Sequence, residues 1–146
     1  MAKKISRESQ DLADQIHSVS IHLLRKLRRE DEGSGLSAPR LSALSVIVFA
    51  GPVTLGALAA AEQVRPPTMT RIVNALEAQD LVTRGKNAGD GRSTFLSATP
   101  AGRKLMRRGR ARRVRALARG IEDLPPRDRS LLREAAAILQ GILRVI

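Results

Sequence analysis

The fold of this chain is decided by residues 54–102, TLGALAAAEQVRPPTMTRIVNALEAQDLVTRGKNAGDGRSTFLSATPAG. Apolar residues recur at helical spacing as far as Gln63, and the side-chain oxygen of Thr54 can cap the start of that helix. Pro66 and Pro67 suit the first turn of a second helix, because that turn needs no N–H from them and their φ already fits. The stretch therefore predicts two helices joined by a tight turn.

The second helix has one apolar and one polar face. Its apolar residues follow one another at i, i+3, i+4 and i+7, which predicts a buried stripe. That stripe is Met69, Ile72, Val73 and Leu76. The opposite face presents Pro67, Thr70, Arg71 and Asn74. Small hydroxyls, an amide and an arginine on the second of two turn-linked helices are typical of the element that enters a DNA major groove.

Two short strands are predicted after this helix, over 81–86 and 93–99. The segment between them, NAGDG, has the residues of a hairpin tip. A helix-turn-helix followed by such a hairpin is a winged helix. Asp90 and Arg92 are two residues apart, so in an extended chain they project to the same side and the carboxylate can orient the guanidinium. An arginine on a protruding loop suits a narrow A·T-rich minor groove.

The winged helix predicts a set of DNA-contacting residues on the helix-turn-helix and the hairpin. They are Thr54, Arg65, Pro67, Thr68, Thr70, Arg71, Asn74, Arg84, Lys86, Asp90 and Arg92. Hydroxyl, amide and basic side chains of this kind bind phosphate oxygens or the edges of bases.

At these residues the chain resembles the MarR family of bacterial transcriptional regulators. The family's wing signature is Asp-x-Arg followed by Leu-x-Leu-Thr-x-x-Gly. It is matched by Asp90, Arg92, Leu96, Thr99 and Gly102, with Ala98 in place of the second leucine. The chain departs from the family's pattern at Gly91, where many members have a second arginine, at Arg65, where a serine N-cap is common, and at Asp80, where a glycine usually ends the recognition helix.

The resemblance covers nearly all of residues 1–146 and implies one mainly α-helical domain with a small β-hairpin wing. It implies a winged-helix DNA-binding lobe over 37–100 and dimerisation helices in 1–33 and 101–146. It further implies a homodimer on a pseudo-palindromic operator in double-stranded DNA, most often acting as a repressor. Many relatives release DNA when a small-molecule effector binds between the dimerisation helices and the lobe. No constellation of residues marks such a pocket in this sequence, and no Tyr or Trp is present to stack on an aromatic effector.

Composition narrows the function classes. A formal charge of +12 calls for a polyanionic partner, and nucleic acid is the usual one. The excess of arginine over lysine fits bidentate contacts to phosphate and guanine, or equally the codon bias of a GC-rich genome. The absence of cysteine excludes disulfides, thiolate metal sites and thiol-based sensing. The two phenylalanines, the only aromatic residues, cannot hold single strands by base stacking.

The sequence predicts a cytoplasmic protein without a membrane span. No apolar run approaches the ~18 residues that cross a bilayer, and the first ten residues, MAKKISRESQ, lack the apolar stretch of a signal peptide. No cofactor is indicated. His17 and His22 lie five residues apart, which is not the i, i+4 spacing of a metal-binding pair, so no metal site is predicted.

The N-terminal third predicts two helices. The first runs from Ser6 to about Glu30, and its apolar stripe is wider than one partner helix needs, which predicts burial on two sides. A loop, EDEGSG, is predicted over 30–35. Ser37 then caps a nearly continuous apolar helix that ends at Gly51 and is expected at the centre of the fold.

Thr99 and Pro100 make an N-cap and first-turn pair for a helix that continues to about Gly120. Nine basic residues and no acidic one lie between Arg103 and Arg119. Such a run is usually a solvated face, but its self-repulsion favours the approach of phosphates. The alternative is partial neutralisation by acidic residues of the first helix, namely Glu8, Asp11 and Asp14.

The last segment, 126–146, is too apolar for a surface helix of a monomer. We expect some of its residues to face their own subunit and others to meet a second copy, so that two recognition helices stand about one DNA turn, roughly 34 Å, apart.

The sequence holds no catalytic motif such as GxSxG, a P-loop, HExxH or a Rossmann glycine pattern, so it does not predict an enzyme. Two other binding functions remain open. One is a sequence-indifferent architectural DNA-binding protein that uses the same basic surface. The other is a protein-interaction module that uses the C-terminal helix on a heterologous partner.

Overall fold

A computed structural model describes the backbone of residues 5–87 and 90–146, and the side chains of residues 5–86 and 94–146. Helices dominate this part of the chain, and three short strands form one sheet. In chain order the elements are α1 (Arg7–Arg28), a 3₁₀ helix (Arg29–Ser34), α2 (Ala38–Ala50), β1 (Val53–Thr54), α3 (Leu55–Ala61), α4 (Pro66–Glu77), β2 (Val82–Asn87), β3 (Asp90–Ala98), α5 (Pro100–Glu122) and α6 (Pro126–Ile142). The predicted fold class, a mainly α-helical winged helix with additional N- and C-terminal helices, is confirmed.

The sheet has three antiparallel strands in the order β1-β3-β2, whereas the sequence predicted a two-stranded hairpin. The additional strand, β1, pairs Val53 with Leu96 and Thr54 with Phe95. Two residues are too few to show an alternating pattern, so sequence periodicity could not reveal β1. The strand β3 also begins at Asp90, earlier than the predicted start at residue 93.

Three helices begin at the predicted capping residues, Ser37, Thr54 and Thr99. The hydroxyl oxygen of Thr99 accepts from the N–H of Gly102 at 3.0 Å, and Ser6, where the first helix was predicted to begin, accepts in the same way from the N–H of Ser9 at 3.1 Å. Ser37 also occupies an N-cap position, but its side chain makes no capping bond. Caps depend on local chain geometry, which is why the helix starts could be predicted within a residue.

The loop predicted over 30–35 is wrong, because most of it is the 3₁₀ helix. Long-range contacts hold it against α5: Nε of Arg112 donates to the carbonyl of Glu30 at 2.8 Å, and Arg113 forms an ion pair with Asp31. A short 3₁₀ helix needs such tertiary support, since its hydrogen-bond geometry is weaker than that of an α-helix.

The hydrophobic core lies inside the winged-helix lobe, around α2 as predicted. It consists of Leu36, Ala43, Leu44, Ile47, Leu58, Ala59, Met69, Val73, Leu76, Leu81, Val82, Leu96, Ala98 and Met106. Leu44 and Leu58 are completely inaccessible to solvent. Burying one such side chain contributes roughly 1.5–3 kcal/mol, so this core fixes the position of every element of the lobe.

The start of α5 is tied to the end of the helix-turn-helix. The N–H of Thr99 donates to the carbonyl of Leu81 at 3.0 Å, and the Thr99 hydroxyl donates to the carbonyl of Asp80 at 2.6 Å. Gly102 packs so closely that a Cβ there would lie 2.2 Å from the Leu81 carbonyl oxygen. The glycine of the wing signature is therefore required by the close approach of two backbones.

The terminal helices α1 and α6 bury no residue within the described chain. The expectation that part of α6 faces its own subunit is therefore wrong: Leu139 is 37% exposed and Leu143 70% exposed. The wide apolar stripe of α1 is likewise uncovered, with Leu12 56% and Val19 64% exposed. Among the described helices, none is by itself long and apolar enough to cross a membrane, and the pair Arg7–Ser34 and Ala38–Ala50 passes that test only when combined across a 91° bend.

Candidate nucleic-acid interface

The helix-turn-helix is formed by α3 and α4. Thr54 caps α3, its hydroxyl oxygen accepting from the N–H of Ala57 at 3.2 Å. The turn between the helices contains Gln63 in the left-handed region, with a φ of 54°. Helix α4 then starts at Pro66, and because Pro66 and Pro67 have no N–H, its N-terminus offers few backbone donors to a phosphate. A phosphate at this end of α4 would therefore be bound mainly by side chains.

The predicted stripe holds α4 in place. Met69, Val73 and Leu76 are each fully buried, and Ile72 is half-buried against the same core. A helix anchored by three buried side chains presents its opposite face in a fixed orientation, which base recognition requires.

The opposite face exposes Pro67, Arg71 and Asn74, as predicted, and Thr68, another of the predicted DNA-contacting residues, is also exposed. Within the described residues, Arg71 forms no ion pair, so its guanidinium is available to a ligand. Thr70 differs from the prediction: it is half-buried and its hydroxyl donates to the carbonyl of Pro66 at 3.0 Å. That hydroxyl proton is already used, so Thr70 can offer a DNA base only an acceptor or its methyl group.

Asn74 and Arg84, both predicted to contact DNA, contact each other. Nη2 of Arg84 donates to Oδ1 of Asn74 at 2.6 Å, and Nε of Arg84 donates to Oε2 of Glu77 at 2.8 Å. This Asn74–Glu77–Arg84 cluster joins the C-terminal half of α4 to strand β2. Glu77 was absent from the predicted site, because only the fold brings residue 84 back to residue 77.

The remaining predicted residues differ in their surroundings. Arg65 and Lys86 are exposed, at the N-cap of α4 and on β2 respectively. Thr54 is half-buried and occupied by its capping bond, which assigns it a structural role in α3. Asp90 and Arg92 belong to β3, but their side chains lie outside the described residues.

The basic helix α5 is only partly neutralised. The acidic partner that the structure supplies is Asp31 of the 3₁₀ helix, which pairs with Arg113. Within the part of the chain that is described, Glu8, Asp11 and Asp14 form no ion pair, so their predicted neutralising role is not observed. Seven basic residues of α5 stay exposed without an acidic partner among the described side chains: Arg103, Lys104, Arg107, Arg108, Arg110, Arg115 and Arg119.

A cavity of about 710 Å³ lies where the lobe meets the long helices. Its lining comes from α1, the 3₁₀ helix, α2, the end of α3 and α5, and it combines apolar side chains such as Leu24 and Met106 with charged ones such as Arg28, Glu32 and Glu62. A cavity of this size is in the range of small-molecule sites. No group of three or more His, Cys, Asp or Glu residues that could hold a metal ion occurs among the described residues.

Comparisons with known proteins agree with this geometry. A family model described as the MarR family matches residues 36–94. The chain is 34% identical over 132 residues to an HTH-type transcriptional regulator of Mycobacterium tuberculosis. The aligned residues cover 90% of this chain and 92% of the relative.

Solved structures show the same fold. A transcriptional regulator from Thermotoga maritima has a TM-score of 0.84 at 24% identity, covering 92% of this chain and 95% of that chain. A MepR mutant of Staphylococcus aureus, solved bound to an oligodeoxyribonucleotide, has a TM-score of 0.69 at 18% identity, covering 90% of this chain and 97% of that chain.

Proposed function

This chain belongs to the MarR family of DNA-binding transcriptional regulators, and on that premise we propose that it is a homodimeric repressor that recognises a pseudo-palindromic operator. Helix α4 enters the major groove, and the β2–β3 wing reaches the adjacent minor groove through Arg92. The chain acts in the cytoplasm, on DNA, and carries out no catalysis. The observation that carries the proposal is the exposed face of α4, where Arg71 is free of ion pairs within the described chain while Met69, Val73 and Leu76 on the opposite face are fully buried.

The direct DNA contacts fall into two groups. Pro67, Thr68, Arg71 and Asn74 lie on the exposed face of α4, where base edges are within reach of side chains. Arg65 and Lys86 are exposed cations at the flanks of this face and suit phosphate oxygens. The charge of +12 adds a long-range attraction that is independent of sequence.

Dimerisation through residues 1–33 and 101–146 accounts for the uncovered terminal helices. In α6 and the residues after it, Ile138 is 65% exposed, Val145 83% and Ile146 92%. Apolar surface of this extent is unusual on a soluble monomer, and a second copy related by a two-fold axis covers it symmetrically. The same axis places the two copies of α4 on successive major grooves of one face of the duplex.

A small-molecule effector binds in the cavity of about 710 Å³ and alters DNA affinity. Its lining supports this part of the proposal, because Leu24 belongs to a dimerisation helix while Val64 lies in the turn that leads into α4. A bound molecule therefore contacts both the dimerisation helices and the DNA-binding lobe. The relative position of these two parts sets the spacing of the recognition helices. Thermal-shift screening of small aromatic and anionic compounds tests this. The exposed lining residue Ser42 provides the control, since Ser42→Trp fills the cavity and should abolish the shift.

The central experiment is selection of bound duplexes from a random pool, followed by titration of the enriched sequence against unrelated duplexes of equal length at one salt concentration. We expect an inverted repeat and a preference of at least ~10³-fold for it over unrelated DNA. Equal affinity for all duplexes would identify an architectural DNA-binding protein instead. Sedimentation equilibrium of the free protein is expected to give twice the chain mass, and a monomeric mass would contradict the proposed two-fold dimer.

A further inference from the structure

The Asn74–Glu77–Arg84 cluster has a consequence for base recognition. Its two hydrogen bonds are short, at 2.6 Å from Arg84 Nη2 to Asn74 Oδ1 and 2.8 Å from Arg84 Nε to Glu77 Oε2. A guanidinium carries N–H donors and no acceptor, so the amide atom that faces Arg84 has to be the oxygen of Asn74. The free hydrogen-bonding capacity of this exposed amide is then mainly its NH2 group.

We propose that Arg84 sets the base preference of Asn74. An unconstrained asparagine recognises adenine with two bonds, the oxygen accepting from N6 and the NH2 group donating to N7. That pair requires both amide atoms to face the base in one plane, whereas Arg84 holds the oxygen towards strand β2. Asn74 is left as a donor, and its NH2 group fits guanine, where N7 and O6 both accept, or thymine O4. Adenine also has an acceptor at N7, but the amino group at N6 beside it is a donor and disfavours the approach of a second donor. The inference rests on the proposed function, since it requires α4 to lie in the major groove.

Glu77 completes the arrangement as a positioning residue. Its carboxylate binds Nε of Arg84, which orients the guanidinium plane towards Asn74 and balances its charge. Glu77 and Arg84 then form a neutral pair, so Arg84 adds no net attraction for phosphate despite standing at the edge of the DNA-binding surface. This differs from the phosphate-binding role that its position on the wing strand predicts.

The first test compares the base preferences of the wild type and two variants by selection from random duplexes. In the wild type, the position that loses its preference in Asn74→Ala is expected to be guanine or thymine. Arg84→Met retains an unbranched stem but has no donor, so it releases the amide oxygen and should shift the same position towards adenine. Three results would overturn the inference: adenine at this position in the wild type, an Asn74→Ala profile equal to that of the wild type, or an unchanged profile in Arg84→Met. Each of these results leaves the proposed operator binding intact. Failure of the wild type to enrich any sequence would overturn the proposed function itself.

The second test measures the salt dependence of binding to the selected duplex. Glu77→Gln keeps an acceptor for Arg84, so the base profile should be unchanged, but it removes one negative charge and should steepen the slope of log K against log salt by about one per subunit. The double variant Glu77→Gln with Arg84→Met removes a neutral pair and should retain the wild-type slope. If the slope of the double variant is instead shallower than that of the wild type by about one, Arg84 binds phosphate, which contradicts the neutral pair. Far-UV circular dichroism of each variant confirms that the fold is intact.

Discussion

Replacing Gly102 by alanine tests how α5 is joined to the DNA-binding lobe. The new methyl group would lie 2.2 Å from the carbonyl oxygen of Leu81 and 3.3 Å from Cδ1 of Leu44. Neither the buried carbonyl nor the fully buried leucine can retreat freely, so α5 has to shift outwards. That shift stretches the hydrogen bond from the Thr99 N–H to the Leu81 carbonyl oxygen, whose donor–acceptor distance is 3.0 Å.

The magnitude follows from three contributions. Overpacking of a filled interior costs about 1–3 kcal/mol, and weakening one buried hydrogen bond costs about 1 kcal/mol. The greater helix propensity of alanine returns at most about 1 kcal/mol. We therefore expect Gly102→Ala to lower the free energy of unfolding by about 2 kcal/mol.

Urea unfolding followed by circular dichroism at 222 nm measures this change, at one protein concentration because association affects the apparent stability. Gly120 is the matched control: it lies in the same helix and is exposed, and a Cβ added there would meet nothing within 4 Å. Gly120→Ala should leave stability unchanged or raise it by up to about 1 kcal/mol. A Gly102→Ala protein as stable as Gly120→Ala would refute the close-approach argument.

Four further outcomes are expected. Asp80 has a φ of 54°, so Asp80→Gly should raise the free energy of unfolding by about 0.5–1 kcal/mol in the same urea assay, and a loss of stability would contradict the assigned strain. Arg71→Ala should reduce discrimination between the operator and a mutated operator in fluorescence anisotropy titrations, whereas an equal loss on all sequences would limit Arg71 to phosphate contacts. Arg92→Ala should weaken operator binding by about 1–3 kcal/mol per half-site, and a variant that binds with wild-type affinity would show that Arg92 does not contact DNA. Replacing Leu139 and Leu143 together by Asp should give a monomeric or partly unfolded protein without operator binding in sedimentation equilibrium and anisotropy, and a folded dimer with normal affinity would exclude α6 from the interface.

Local sequence patterns were sufficient for the helical framework. The proline pair at 66 and 67, the capping hydroxyls of Thr54 and Thr99 and the apolar stripe of α4 act over one or two helical turns. Because these effects need no distant partner, the order of elements, the helix starts and the exposed face of the recognition helix could all be predicted from sequence, and so could the family.

Only the tertiary structure decided features that join residues far apart in the chain. The strand β1 exists because Val53 and Thr54 meet β3, and the 3₁₀ helix is held by Asp31 contacting Arg113, 82 positions later. Arg84 was predicted to contact DNA, yet in the folded chain its guanidinium donates hydrogen bonds to Asn74 and Glu77. A charged or polar side chain takes the nearest partner in space, and distance in space is set by packing rather than by sequence separation, so the composition of this site became visible only once α4 and the wing were folded against each other.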